Sequence, residues 1–118
     1  MNKVIVSGRI TNDLELRYTS NNKEILNINL AVKRDFKNSD GEYDTDFLKV
    51  VVYGTHAKYL KEHTSKGKRI QIDGRIQVQQ YEKNEEKRYD TSIVAEKVEI
   101  IDFNEDPYAE FGKKVEAD

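Results

Sequence analysis

One stretch of this sequence places chemically useful side chains in a regular pattern. Between residues 46 and 53, Leu48, Val50 and Val52 take alternate positions, which is the period of a strand with one buried face. Phe47, Lys49, Val51 and Tyr53 must then point the other way. Two aromatics, a cation and an aliphatic on a solvent face are costly unless something docks there. Arg75 and Tyr81 hold the outward positions of a later strand whose isoleucines turn in. Flat rings stack on nucleobases and cations track phosphates, so this set suits an unpaired nucleic-acid strand of any sequence. A duplex hides those base faces in its own stack. Exposed rings also serve as cross-strand pairs or as an oligomer interface, and the pattern alone leaves those readings open.

The residues that would suggest catalysis form no such set. His56 and His63 are seven apart, about 10.5 Å of rise if they share a helix, which is too far for one metal ion. Asp44 and Asp46 have a spacing that could hold Mg²⁺, but in a chain with 36% charged residues such spacings arise by chance. Lys66-Gly-Lys lacks the upstream glycine of a phosphate loop. With no cysteine there is no thiolate chemistry and no disulfide. Neither an enzyme nor a cofactor is expected.

The elements that must position the rings and cations follow from the same alternation. Residues 25 to 33 put Leu26, Ile28, Leu30 and Val32 on one side and Asn27, Asn29, Ala31 and Lys33 on the other. Residues 68 to 81 turn Ile70, Ile72, Ile76 and Val78 inward, with Gly74 between them. Residues 3 to 18 and 88 to 101 supply two more strands rich in Val, Ile, Tyr and Thr. Gly8 and Gly74 each precede Arg-Ile inside a strand, where glycine marks a bulge or a barrel corner. Ala57, Leu60 and Thr64 have helical spacing, and Gly67 is the expected C-cap. Asp40-Gly41 and Lys83 to Lys87 mark hairpin tips. The expected fold is therefore all-β: a five-stranded OB-fold barrel with one short helix between strands 3 and 4, other small barrels being the alternative.

At 118 residues there is room for one such domain, assigned to 1–103, and a tail, assigned to 104–118. The formal net charge of -2 is unevenly spread. Residues 102–118 hold six of the 22 acids and two of the 20 bases, which leaves the body at +2. A mildly basic body with a flexible acidic C-terminal tail is a charge asymmetry met in nucleic-acid-handling proteins. No apolar run is long enough for a membrane span or signal peptide, and a cytoplasmic setting is expected.

Four segments resemble one family. They are Val6-Ser-Gly-Arg-Ile-Thr-Asn-Asp with Glu15-Leu-Arg-Tyr-Thr, Asn29-Leu-Ala-Val-Lys-Arg, Asp46-Phe-Leu-Lys-Val-Val-Val-Tyr-Gly, and Lys66-Gly-Lys-Arg-Ile-Gln-Ile-Asp-Gly-Arg. In order and spacing they are similar to the bacterial and bacteriophage single-stranded DNA-binding proteins, from about residue 2 to 102. The resemblance implies sequence-independent binding and protection of single-stranded DNA in replication, recombination and repair. Phe36, Phe47, Tyr53 and Tyr81 would be the stacking residues, although alternation from Val32 turns Phe36 inward and only the resemblance supports it. Lys3, Arg17, Arg34, Lys49 and Lys66 fall at or near the family's basic positions and are expected to meet phosphates. Arg75, Lys87 and Arg88 join them on local grounds. A homotetramer built partly by pairing of first strands is implied, as is work at the nucleoid or, for a phage protein, in the host cytoplasm.

There are departures. No tryptophan stands at the aromatic positions, and Gln77, Gln79 and Gln80 replace cations common in relatives. Both imply weaker stacking and a shallower salt dependence than in the tightest members. Replication and repair partners are usually recruited through an acidic tip closed by Pro-Phe, and this chain ends Val115-Glu-Ala-Asp. Asp106-Pro-Tyr-Ala-Glu-Phe-Gly resembles an upstream part of such a tail. That suits a chain stopped short of the tip, or a phage or mobile-element version. The rival to DNA binding is an OB-fold adaptor of the replication machinery whose aromatic face meets another protein.

Overall fold

The computed structural model describes residues 1–104; the acidic segment beyond Asn104 lies outside the described residues. In chain order the elements are β1 (Val4–Ile10), β2 (Arg17–Tyr18), β3 (Glu24–Lys37), β4 (Tyr43–Tyr53), α1 (Thr55–His63), β5 (Arg69–Lys83) and β6 (Glu86–Ile100). The sheet order is β1-β5-β6-β4-β3-β2, and β1 also pairs with β3 through Arg9↔Ala31 and Ile10↔Leu30. That second pairing closes five long strands into an OB barrel, with the helix between the third and fourth of them. Its core is the set that alternation selects on the central strands: Leu26, Ile28, Leu30, Val50, Val52, Ile70 and Ile72 are buried, joined by Ala57 and Leu60 from the helix.

Two glycines make the closure possible. Gly8 lies where β1 crosses from β5 to β3, and a Cβ there would fall well inside contact distance of the Ala31 carbonyl oxygen. Gly74 meets the Val94 carbonyl in the same way, beside a register shift in the β5–β6 ladder. Both are sites of close backbone approach, the role that glycine inside a strand suggests.

Several expectations need correction. The strand expected over 3–18 ends at Ile10, because the chain leaves the ladder to bury Leu14. The Asn12 side chain replaces the lost pairing, donating to Asn27 O and accepting from Asn29 N. Helix α1 stops at His63 and its C-cap is Thr64, whose N–H bonds the Leu60 carbonyl. Gly67 instead turns the following loop at φ 92 and donates to Ile10 O. Ile76 and Val78, expected inside, are 44% and 55% exposed. Their parity is right, since Ile76 sits opposite the buried Ile93, but the β5–β6 hairpin runs past the end of the barrel, where the other described residues leave them exposed. Both expected hairpin tips are present. Gly41 takes φ 79 in one, and Asn84 and Glu85 form the other at φ 54 and 64.

The segment after β6 is fastened to the barrel. Asp102 accepts from the Arg69 guanidinium at 2.8 and 3.1 Å and from the Arg69 backbone N–H at 3.1 Å. Asn104 donates its N–H to His63 O at 2.9 Å. The side-chain hydrogen bond from Arg69 is the main reason that the Asp102 carboxyl titrates at about 2, below the ordinary 3.8. A carboxyl depressed in the folded state contributes its stability above the unfolded pKa and loses it as pH falls through the folded one. Asp102→Asn is therefore expected to lower Tm at neutral pH, and the difference from the parent should shrink below about pH 4 and disappear only below about pH 2 in thermal melts across that range.

Candidate nucleic-acid interface

On the outside of the barrel a groove of about 460 Å³ runs across β3, β4 and the β5–β6 hairpin. It exists because β4 and β6 pair in parallel through only Val50↔Ile93 and Val51↔Val94. Beyond those two rungs the long hairpin separates from β4, and the space between becomes the groove. Most of its lining is the outward parity of each strand, including Asn27 and Asn29, Lys49 and Tyr53, Gln77 and Gln79, Asp90 and Ser92, and the core residues Ile28 and Val50 also border it.

The aromatic positions divide by their depth in this groove. Tyr53 lines it, half-buried, with the Lys23 ammonium 5.5 Å from its ring centroid. Phe47 extends the same β4 face and is 71% exposed. Tyr81 lies farther along β5, exposed and directly opposite Arg88. Phe36 is exposed too, near the end of β3. A register shift between Lys33 and Lys37 interrupts the ladder there, so alternation counted from Val32 does not carry through to residue 36.

Most of the expected phosphate contacts hold a carboxylate of their own chain. Lys49 reaches Asp90 at 2.9 Å across the groove. That hydrogen bond, then the Asp90 charge, raises the Lys49 pKa. Arg34 grips Asp46 with two nitrogens at 3.0 and 3.1 Å and lies 3.8 Å from Asp44; the hydrogen bond to Arg34 is the chief reason that Asp46 is lowered. These two aspartates are the pair whose spacing suggested a metal, and the arginine occupies them instead. Lys3 binds Asp73 at 2.6 Å, Arg17 binds Glu15 at 3.3 Å, and Arg88 binds Glu86 at 3.1 Å. Arg75 donates to Gln77 Oε1 at 3.0 Å.

Of the eight cations only Lys49 lines the groove. Arg88 and Arg75 continue its face through their partners Tyr81 and Val94. Strand alternation turns Lys87, opposite Glu82, to the other side of the hairpin. Lys3 sits beside Asp73, four residues short of Gln77 on β5, and Lys66 is exposed in the loop after α1. His56 and His63 are exposed on the helix, where the His63 ring lies tilted at 55° against Tyr59, with centroids 5.1 Å apart.

The Single-strand binding protein family model matches residues 1–101. The chain belongs to that family. Among its relatives, the Single-stranded DNA-binding protein of Halalkalibacterium halodurans is 40% identical over 103 residues, covering 86% of this chain and 61% of that protein. The Single-stranded DNA-binding protein 3 of Listeria innocua is 43% identical over 103 residues, covering 86% and 64%. The Streptococcus mutans Single-stranded DNA-binding protein is 40% identical, covering 86% and 63%. The chain thus spans a little over six-tenths of the length of these relatives.

Two kinds of groove residue received no binding role from the sequence. Asn27, Asn29, Gln77, Gln79 and Ser92 form much of the lining; alternation had already turned Asn27 and Asn29 outward, but nothing in the sequence marked these polar side chains as part of the site. Asp90 carried no local signal, because its place opposite Lys49 depends on the parallel β4–β6 pairing of residues some forty apart. If the groove is where a nucleic-acid backbone lies, Lys49→Ala should weaken oligo-dT binding several-fold more than Lys3→Ala or Lys87→Ala, as read by fluorescence anisotropy.

Proposed function

We propose that this protein binds single-stranded DNA without regard to sequence, shielding it during replication, recombination and repair, and catalyses no reaction on it. The reading rests chiefly on one observation: Tyr53 and Lys49 share a groove open to solvent, and the exposed rings of Phe47 and Tyr81 flank it. A base has a ring to lie against, and a phosphate has an ammonium beside it. A groove lined by amides and a hydroxyl offers donors and acceptors to any base edge, which suits indifference to sequence. Family membership and relatives bearing the name Single-stranded DNA-binding protein support the same reading.

Base–aromatic stacking, for which proteins of this family are themselves a standard case, amounts to about 1–3 kcal/mol per base. Replacing Phe47, Tyr53 and Tyr81 together by alanine should therefore cost the protein roughly a hundredfold or more in affinity for oligo-dT. The parent should prefer oligo-dT over a duplex of equal length. Unchanged affinity in a folded triple variant, confirmed by circular dichroism, would remove the basis of the proposal.

The assembly proposed is a homotetramer formed partly through β1, acting in the cytoplasm at the nucleoid. Only Arg9 and Ile10 of β1 pair with β3, so the opposite edge of Val4–Gly8 has no partner strand among the described residues. Ile5 stands 61% exposed on that strand. An open edge with an exposed isoleucine favours addition of another strand. Light scattering should return four times the 13.8 kDa chain mass.

A further inference from the structure

We propose that Asp90 is a built-in competitor of the nucleic-acid backbone, which holds Lys49 in the free protein and so sets how tightly, and with what salt dependence, the groove takes up a single strand. The inference rests on the groove being the DNA site. It adds a residue that limits affinity to those that create it.

The geometry is specific. Asp90 stands on the separating part of β6, opposite Gln79, three residues before Ile93 makes the first rung with β4. From there its Oδ1 meets Lys49 Nζ at 2.9 Å, bridging the hairpin and the barrel body over the groove. Lys49 is 62% and Asp90 44% exposed at the side chain, so the pair is open to solvent and exchangeable. Each carboxylate oxygen offers the ammonium what a phosphate oxygen would offer.

An entering phosphate therefore competes with a carboxylate for the same ammonium. The carboxylate then remains beside the bound strand as an unpaired negative charge. Two effects follow. Affinity is lower than Lys49 alone would produce, because the free state has a contact to lose. The salt dependence is also shallower: a Lys–Asp pair is locally neutral, and a cation stays to balance Asp90 when it would otherwise be released from the strand. Each phosphate neutralised on a single strand contributes about 0.7 to the slope of log K against log salt, and Asp90 cancels part of one such contribution.

The test uses the full chain and oligo-dT, with affinity measured across a range of NaCl concentrations for the parent, Asp90→Asn, Lys49→Ala and the double variant. Asp90→Asn keeps the side chain's size and removes its charge. It should bind roughly two- to fivefold more tightly at low salt, with a slope steeper by up to about 0.7. In the Lys49→Ala background the same substitution should bring a clearly smaller gain, the relief of repulsion alone, because no cation remains to be released. An equal gain in both backgrounds would mean that Asp90 acts only through the general field, and would overturn the proposal. A loss of affinity in Asp90→Asn would overturn it too, marking the ion pair as a latch that holds the hairpin in place. Should the parent fail to bind oligo-dT, the DNA-site reading falls and this inference with it. A parent that binds through Lys49 but does not respond to Asp90→Asn leaves that reading standing and removes this inference alone.

Discussion

Closure of the barrel depends on β1 serving two neighbours, and that depends on backbone coming close to backbone. β1 runs along β5 for six residues and then, at Arg9 and Ile10, reaches β3. The crossing leaves no room for a side chain at Gly8, and the matching bend at Gly74 leaves none against Val94. An open sheet with the same strands would lack the curvature that brings β4 beside β6. Without that juxtaposition Lys49 would not face Asp90, and Tyr53 would lie on a flat surface.

The groove is where two long ladders are allowed to part. β3 with β4, and β5 with β6, are long antiparallel hairpins, and the parallel contact joining them is only two rungs long. Each hairpin is held by its own ladder, while the short seam lets their outer halves separate. Asn2 steadies the root of the β5–β6 arm: its side-chain amide bonds both the N–H and the carbonyl of Ile76, at 2.8 and 2.7 Å, as another strand residue would. The apolar underside of the arm at Ile76 and Val78 is left uncovered by this geometry.

What could be read from the sequence was whatever depended on neighbours along the chain. The period of two on β3 and β4 selected the buried residues and, by subtraction, Phe47, Lys49 and Tyr53. Both hairpin tips and the buried face of α1 were legible for the same reason. What failed depended on contacts between distant segments. Val32 and Phe36 could not be related by counting, because a register shift lies between them. Ile76 and Val78 have core parity without a core, since nothing local tells how far the barrel extends along β5. The basic positions were legible as residue types, but not the acids that hold them: Arg34 with Asp46 and Lys49 with Asp90 meet only across strands. Arg69 and Asp102, which fasten the segment after β6, are likewise 33 residues apart.

The short parallel seam also bears on how the molecule is made. Val50 and Val51 emerge from the ribosome more than forty residues ahead of their partners Ile93 and Val94. Over that interval the β3–β4 hairpin has its outer edge bare, and such edges invite pairing with other chains. Lys49, Asp46 and Asp44 along that hairpin give it charges that discourage such encounters. The groove acquires its second wall only when nearly the whole barrel has been synthesised, since β5 and β6 both follow β4 in the chain.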